Sequence, residues 1–241
     1  MLRVSLLRFV LPVLLASTIS HPSDQAYAFT LSPMVVKLNS DGGTQTIKIK
    51  NPSSEPIDMQ AQFFSWQESA DLTALKPTND LLVMPPIFKV EPGGEQVVRV
   101  ALRNPIETEI ERSYRIVVSE VPSEVQSEDG LGFNLSVSIP LFVRPKGAAA
   151  VAEWAIENED GQTHLVLANE GNSYLKFGQI TLASDNADGE VLLQLDGGYV
   201  LGGDKRSWPM DTKLTNLNAP LSVKAVSNIG PLQTTISLTD G

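Results

Sequence analysis

Apolar and polar residues alternate with a period of two along most of this chain. The alternation is clear at residues 46–50 and 96–102, and it runs longest over residues 133–141. Period two is typical of half-buried strands, whose successive side chains point to opposite faces of a sheet. About seven such segments precede Pro145, the number expected of an immunoglobulin-like sandwich, whereas helical periodicity is scarce.

Residues 146–150 interrupt this pattern. They follow Pro145 and carry few large side chains (KGAAA), which indicates a linker. Strand-like segments resume at residue 151 and form a second group of about 90 residues, within the usual size of a domain. The sequence therefore predicts an all-β protein of two immunoglobulin-like β-sandwich domains, at residues 29–145 and 151–241.

The first 28 residues have the organisation of an export signal. Arg3 and Arg8 give a positive start, residues 10–16 (VLPVLLA) form a short apolar core, and residues 26–28 (AYA) match a small-x-small cleavage site. The apolar core is much shorter than the about 20 residues of a membrane-spanning helix. We expect cleavage after Ala28 and export; the alternative is that residues 10–16 are a buried segment of a folded core.

Composition narrows the chemistry that this chain can perform. It has no cysteine and a net charge of −10. An exported fold without cysteine has no disulfide, no thiol nucleophile and no zinc–thiolate site, and its acidity is unlike the basic footprint of a nucleic-acid-binding protein. After the signal, His164 is the one histidine, and no P-loop, G-x-S-x-G or H-E-x-x-H motif occurs. We therefore expect a binding protein without cofactor or metal rather than an enzyme.

Six motifs carry a resemblance to a known family. They lie at residues 47–51 (IKIKN), 85–100 (PPIFKVEPGGEQVVRV), 111–122 (ERSYRIVVSEVP), 139–145 (IPLFVRP), 169–174 (NEGNSY) and 199–208 (YVLGGDKRSW). In order and spacing the chain resembles the periplasmic pilus-assembly chaperones over nearly all of its mature length. The forms SYRI and IPLFV are most similar to the archaic branch of that family, whose subunits resemble spore coat U proteins.

The resemblance implies a boomerang of two domains that binds unfinished pilin subunits and hands them to an outer-membrane usher. A pilin subunit lacks the last strand of its sandwich, and the chaperone's seventh strand fills the gap by donor-strand complementation. The implied donor residues alternate along that strand: Leu131, Phe133, Leu135, Val137 and Ile139. For residues 137–141 the alternative is packing in the chaperone's own core. Because an exposed apolar edge aggregates, we expect the free protein to leave the segment disordered or to cover it by self-association.

The resemblance also implies a site for the subunit's C-terminal carboxylate, held by two basic residues in the cleft between the domains. In this chain those positions fall near Val35 and at Pro140, and neither side chain can pair with a carboxylate. Arginine's planar fork suits carboxylates, and Arg115 is the first candidate, since it faces outward if its alternating neighbours form the core. Arg112 and Lys37 are further candidates. The alternative for Arg115 is an ordinary surface arginine.

An ionic bridge between the domains is the last feature that the resemblance implies. It maps to Glu111 and Arg144, with Asn228 at the position of a third, acidic partner. A neutral amide there keeps a hydrogen bond but carries no charge, so the angle between the domains would be held less firmly. The alternative for Arg144 is a plain cation at the end of a strand.

Two other functions are open at this point. A structural fibre subunit or adhesin would show an N-terminal donor extension of alternating apolar residues, but residues 29–33 are too few and include a proline. A carbohydrate-active enzyme would need a cleft with paired carboxylates, which sequence does not place. We therefore expect a periplasmic chaperone whose partners are pilin-like subunits and an usher, and not nucleic acid.

Overall fold

The computed structural model describes residues 29–67, 75–122, 134–185, 190–210 and 220–237. These residues form nineteen strands and no helix, which confirms the predicted all-β fold. Strand pairing divides them into two groups, ten strands up to Arg144 and nine from Ala152 onwards. Within these ranges nothing qualifies as a helix able to cross a membrane.

The N-terminal half consists of short strands joined by tight connections. The ten strands are β1 (Thr30–Ser32), β2 (Val36–Asn39), β3 (Thr44–Lys50), β4 (Ile57–Ser65), β5 (Lys76–Pro77), β6 (Leu81–Met84), β7 (Ile87–Val90), β8 (Glu95–Leu102), β9 (Arg112–Glu120) and β10 (Ser136–Arg144). The strands that alternation did not predict are β1, β2 and β5. They have two to four residues each, too few to show a period.

Two sheets enclose one core in this half. The first has the order β1-β3-β8-β6, and the second has the order β2-β10-β9-β4-β5, with β7 also paired to β4. Inward-facing side chains of both sheets fill the space between them, among them Ile47, Ile49, Met59, Val98, Val100, Ile116, Ile139 and Leu141. The alternation along each strand is what separates these side chains from the polar outer faces.

The chain changes sheets near its start. β1 pairs antiparallel with β3, whereas β2 pairs parallel with the end of β10. Pro33, between the two strands, has no N–H to donate to a ladder. The chain crosses to the second sheet only after this point. As a result, β2 pairs with the second half of β10, and the first half of β10 has no pairing with β2.

The C-terminal half has nine strands and a core of its own. The strands are β11 (Ala152–Glu159), β12 (Gln162–Asn169), β13 (Leu175–Phe177), β14 (Ile180–Ser184), β15 (Val191–Leu195), β16 (Gly198–Val200), β17 (Lys205–Pro209), β18 (Leu221–Ser227) and β19 (Gly230–Ile236). One sheet has the order β11-β12-β17, and the other has the order β15-β14-β18-β13-β16, with β19 paired to β18. Alternation predicted one strand over residues 175–182; the structure has two, because β13 and β14 take different outer partners, β16 and β15.

The two halves meet across a small apolar cluster, here called the interdomain cluster. Trp66 and Phe142 come from the N-terminal half, and Tyr174 and Leu201 come from the C-terminal half. All four side chains are buried, and the half-buried Tyr199 packs against them. The cluster positions the outer face of β9 and β10 against the C-terminal half, and the candidate site lies there.

Candidate functional site

The first half of β10 has a strand on one side only. β9 pairs with β10 from Ser136 to Val143, but β2 pairs only from Leu141 to Arg144. From Ser136 to Pro140, therefore, the other edge of β10 has no strand partner among the described residues. An unpaired edge exposes main-chain N–H and C=O groups that can form a ladder with another chain.

Strand geometry identifies the groups on this free edge. The carbonyl of Leu135 accepts a 3.0 Å hydrogen bond from the amide of Glu120, so this residue faces β9. In an antiparallel ladder, residues that bond to the neighbouring strand alternate with residues that point away from it. The amides of Ser136 and Ser138 therefore point to the free edge, and Pro140, which has no amide hydrogen, follows them in the same register.

The predicted donor residues of this segment differ in how deeply their side chains are buried. Ile139 is completely buried in the core of its own half, so its assignment as a donor residue is wrong: its side chain faces inward between the two sheets. Val137 is half-buried and packs against the same core. Leu135 has 36% of its surface exposed. Leu131 and Phe133 lie outside the described residues.

Four aromatic rings line the boundary between the two halves. Phe142, on the outer face of β10, stacks on Tyr174 with ring centroids 3.9 Å apart and planes inclined by 10°. Trp66 meets Phe142 at 5.9 Å and Tyr199 at 5.4 Å. Rings in these stacked and edge-on arrangements attract one another beyond their burial. The rings therefore form an aromatic floor to which both halves contribute.

Arg115 lies on this floor without an anionic partner in the part of the chain that the structure describes. Its guanidinium carbon is 3.7 Å from the ring centre of Trp66 and 6.0 Å from that of Tyr199. Its Nε is buried and makes no hydrogen bond, and no described carboxylate is in ion-pair contact with it. Burial lowers the pKa of Arg115, opposed by the nearby Tyr199. A desolvated cation without a partner is costly, which points to an anion supplied from outside.

Two lysines lie around the same rings. The Nζ of Lys37, on β2, is 5.3 Å from the ring centre of Tyr174, and the Nζ of Lys176, on β13, is 5.5 Å from that of Tyr199. Cations over aromatic faces are favourable contacts. Together with Arg115 they concentrate positive charge at the interdomain cluster of a protein whose net charge is −10.

Arg112, the second predicted anchor, is not part of this group. It lies three residues before Arg115 on β9, and an odd separation along a strand puts two side chains on opposite faces. Its side chain contacts the hydroxyl of Tyr114, which donates a 2.8 Å hydrogen bond to Asp80. Burial, followed by the contacts with Asp80, raises the pKa of Tyr114 to about 12. Arg112 therefore faces away from the rings, and its prediction as an anchor is corrected.

A buried carboxylate joins the two halves. Glu111, with 1% of its side chain exposed, lies 3.4 Å from the Nε of Arg144, an ion pair without hydrogen-bond geometry. Its two oxygens accept hydrogen bonds from the hydroxyl of Ser173 at 3.0 Å and from the amide of Tyr174 at 2.9 Å. Burial raises the pKa of Glu111, whereas these hydrogen bonds and the charges of Arg144 and Lys37 act in the opposite direction. Both oxygens of this carboxylate are thus satisfied.

Main-chain contacts reinforce the same junction. The amide of Glu111 donates to the carbonyl of Asn172 at 2.9 Å, and the side-chain amide of Asn172 donates to the carbonyl of Glu109 at 3.0 Å. The side-chain oxygen of Asn172 also accepts from the amide of Ala149 at 2.9 Å. The turn between β12 and β13 is therefore fastened both to the N-terminal half and to the connecting segment.

Asn228 does not belong to the bridge. Its side-chain oxygen accepts a 2.7 Å hydrogen bond from the amide of Lys176, and its side-chain nitrogen is 3.4 Å from the carbonyl of Tyr174. These contacts remain within the C-terminal half, so the predicted third partner is wrong. Ser173 occupies that role, with a hydroxyl in place of a charged group.

Sequence reasoning missed Trp66, Tyr199, Ser173 and Lys176 as site residues. Tyr199 and Ser173 lie inside the motifs at residues 199–208 and 169–174. The motifs drew attention to these positions but did not predict which residues their side chains contact. Trp66 follows β4, and no pattern in the sequence indicates which half its ring will meet. Elsewhere, His164 is half-buried on β12 with its Nδ1 3.1 Å from the carbonyl of Gln162, and the described residues contain no group of three potential metal ligands.

A family model matches the N-terminal half of the chain. The model describes the N-terminal domain of PapD, a pili and flagellar-assembly chaperone, and it matches residues 28–149. No curated protein sequence matches the chain significantly. The match includes β1 to β10, and thus the free edge of β10, Arg115 and Lys37.

Solved structures share the fold over most of the chain. The CsuC–CsuE chaperone–tip adhesion subunit pre-assembly complex of archaic Acinetobacter baumannii Csu pili matches with a TM-score of 0.62 and 20% identity, covering 87% of this chain and 97% of that chain. The Pseudomonas aeruginosa CupB2 chaperone matches with a TM-score of 0.60 and 20% identity, covering 86% and 100%. The Salmonella enterica complex of the SafA pilin with the SafB chaperone matches with a TM-score of 0.60 and 18% identity, covering 87% and 97%. At these identities the matches show the shared fold alone. The family model, which matches just over half of the chain, shows that this chain belongs to the family of pili and flagellar-assembly chaperones.

Proposed function

We propose that this protein is a periplasmic chaperone that holds unfinished pilin-like subunits by donor-strand complementation and delivers them to an outer-membrane usher. The observation that carries the proposal is the free edge of β10 from Ser136 to Pro140. Family membership agrees with it, and two of the structural matches are complexes of a chaperone with a subunit. Membership of a chaperone family also favours a binding protein over an enzyme.

Main-chain bonding along the free edge supplies the register of the complex. A subunit whose sandwich lacks its last strand has its own unpaired edge, and the amides of Ser136 and Ser138 can complete that ladder. Such bonding depends little on side chains, so one chaperone strand can serve subunits of different sequence. Pro140 marks the end of the ladder because it has no amide hydrogen.

Apolar side chains of the same segment supply most of the binding free energy. Leu135 is available at the surface, Val137 is half-buried, and Leu131 and Phe133 continue the same alternation in the sequence. Each such side chain that a subunit buries contributes about 1.5–3 kcal/mol before ordering costs. Ile139 is excluded from this set because it belongs to the chaperone's own core.

Arg115 and Lys37 are the proposed anchor for the subunit's C-terminal carboxylate. Arg115 has a buried Nε without a partner, and Lys37 lies beside the same aromatic floor. Arg115 is adjacent to Pro140 in the ladder, so an anion held there lies next to the end of the free edge. An anchored terminus and a paired strand would together set the position of the subunit.

Export to the periplasm follows from residues 1–28, which we propose to be a signal peptide cleaved after Ala28. The remaining chain would then comprise an N-terminal domain to residue 145, a linker at residues 146–150 and a C-terminal domain from residue 151. Self-association through the free edge of β10 is our proposal for the protein without a subunit.

Co-purification from the periplasm tests strand donation. The chain is expressed with the pilin-like subunit encoded nearest to it, either as wild type or as the double variant Phe133→Asp, Leu135→Asp. Val191→Asp is the matched control, since Val191 is exposed on β15 in the other half. We expect a one-to-one complex with wild type and control, and a degraded subunit with the double variant. Equal binding by the double variant, or no complex with wild type, would show the assignment to be wrong.

A further inference from the structure

Lys176 faces the candidate anion site from the C-terminal half. It pairs in register with Tyr199 across β13 and β16, and its Nζ is 5.5 Å from the centre of that ring. The guanidinium of Arg115, from the N-terminal half, is 6.0 Å from the same ring centre. One aromatic ring therefore has cations of both halves around it.

The main chain of Lys176 is fixed at this place. Its amide donates to the side-chain oxygen of Asn228 at 2.7 Å, and its carbonyl accepts from the amide of Asn228 at 2.9 Å. This double contact ties β13 to the turn between β18 and β19. The backbone of Lys176 is therefore held in place beside Tyr199, which limits the region that its side chain can reach.

None of the three cations at the interdomain cluster is in ion-pair contact with a described carboxylate. By contrast, Lys48, Lys89 and Lys205 on the outer surface pair with Glu95, Asp58 and Glu157 at 2.6–3.2 Å. In an acidic protein, like charges gathered around one set of rings repel one another unless an anion lies between them. The arrangement favours a ligand that brings negative charge.

We propose that Lys176 completes the anion site, so that a carboxylate held by Arg115 and Lys37 is also contacted from the C-terminal half. The inference rests on the proposed carboxylate anchor. It adds that the site is shared by the two halves, and that an occupied site holds them together more firmly than an empty one. The carboxylate is either a chain terminus or an acidic side chain.

Three short probes separate these sources. Acetyl-asparaginyl-phenylalanine carries a terminal carboxylate, acetyl-aspartyl-phenylalanine amide carries a side-chain carboxylate, and acetyl-asparaginyl-phenylalanine amide carries none. Each is titrated into the full mature protein while the indole N–H resonance of Trp66, assigned with Trp66→Phe, is followed by NMR. The variants are Lys176→Gln, Lys176→Arg and Arg115→Gln. Lys224→Gln is the matched control, an exposed lysine on β18 of the same half.

We expect one or both carboxylate probes to bind the wild type and the uncharged probe not to bind. Lys176→Gln should weaken that binding about 1.5-fold to fivefold, the range for one charge near a protein surface. Lys176→Arg, which keeps the charge, and Lys224→Gln should leave it unchanged. The difference in affinity between wild type and Lys176→Gln should become smaller as salt is added, because salt screens interactions between exposed charges.

Two results would overturn the inference in different ways. If Arg115→Gln abolishes carboxylate binding while Lys176→Gln has no effect, Lys176 is not part of the site and the anchor itself is retained. If neither carboxylate probe binds the wild type, both the anchor and the role of Lys176 are wrong. Strand donation by β10 is independent of both results, since the co-purification experiment tests it separately.

Discussion

Two charged residues of the N-terminal half, the buried Glu111 and the half-buried Arg115, lie at its boundary with the C-terminal half, and their surroundings differ. Glu111 has an arginine, a hydroxyl and a main-chain amide around it. Arg115 has a buried Nε with no hydrogen bond and no described carboxylate in contact. Both groups lose hydration on folding, but among the described residues only Glu111 gains polar partners in return.

The difference separates a structural charge from a binding charge. A fold that retains a buried charge usually surrounds it with partners, because an unpaired one is costly. Glu111 fits that rule and joins the halves. Arg115 departs from it, and perturbed or unsatisfied charged groups concentrate at functional sites. We therefore propose that Glu111 serves the interdomain junction and that Arg115 serves ligand binding.

Removing Glu111 should have the largest effect on stability. In Glu111→Ala, Ser173 and the amide of Tyr174 lose their acceptor and Arg144 loses its ion-pair partner. Breaking a buried pair of this kind costs about 3–5 kcal/mol. The shift of the urea unfolding midpoint, followed by circular dichroism, measures it. Glu109→Ala is the control, because the side chain of Glu109 is exposed and its change should stay within about 0.5 kcal/mol. A shift no larger than the control's would contradict the structural role of Glu111.

Removing the charge of Arg115 should change stability much less and binding much more. Arg115→Met loses the contact with Trp66 but also removes a desolvated cation, so the free energy of unfolding should stay within about 1 kcal/mol of wild type. In the co-purification experiment, the same variant should recover clearly less subunit. If Arg115→Met is strongly destabilised, or if it binds the subunit as well as wild type does, Arg115 has a structural role like that of Glu111.

The pH dependence of stability gives the smallest and most specific effect. Burial raises the pKa of Glu111 above 4.5, so the folded state holds this proton more tightly than the unfolded state. The contribution of Glu111 to the free energy of unfolding is then fully present below about pH 4.5, and it is lost as the pH rises through the raised pKa of the folded state. Glu111→Gln has no such titration.

Urea unfolding of wild type and Glu111→Gln in parallel buffers measures this difference. Between about pH 4 and pH 7, the wild type should lose stability relative to the variant. If instead the wild type gains stability relative to the variant as pH rises, Arg144 and the two hydrogen bonds outweigh burial, and the pKa of Glu111 is lowered rather than raised.

Local pattern is sufficient to predict some of these features. Alternation around Tyr114 and Ile116 places Arg115 on the outer face of its strand, because side-chain direction within a strand depends only on register. The same rule predicts the all-β fold. It does not decide whether Ile139 serves the core or a partner, since that depends on where the neighbouring sheet ends.

The pattern of apolar and polar residues does not predict the contacts between the two halves. The family resemblance predicted that Asn228 joins the bridge, but the turn between β18 and β19 directs its side chain to Lys176 instead. Trp66 and Tyr199 are separated by more than a hundred residues and meet only because the two halves pack together. Such contacts depend on the relative placement of two domains, which no short-range periodicity encodes.

Amide hydrogen exchange along β10 tests strand donation most directly. The amides of Ser136 and Ser138 point to the free edge, whereas those of Val137 and Ile139 face β9 and serve as internal controls. We predict that Ser136 and Ser138 exchange rapidly in the monomeric free protein and become strongly protected when a pilin-like subunit is bound, while Val137 and Ile139 are protected in both states. If Ser136 and Ser138 stay unprotected in a stable complex, the subunit binds elsewhere, and β10 is not the donated strand.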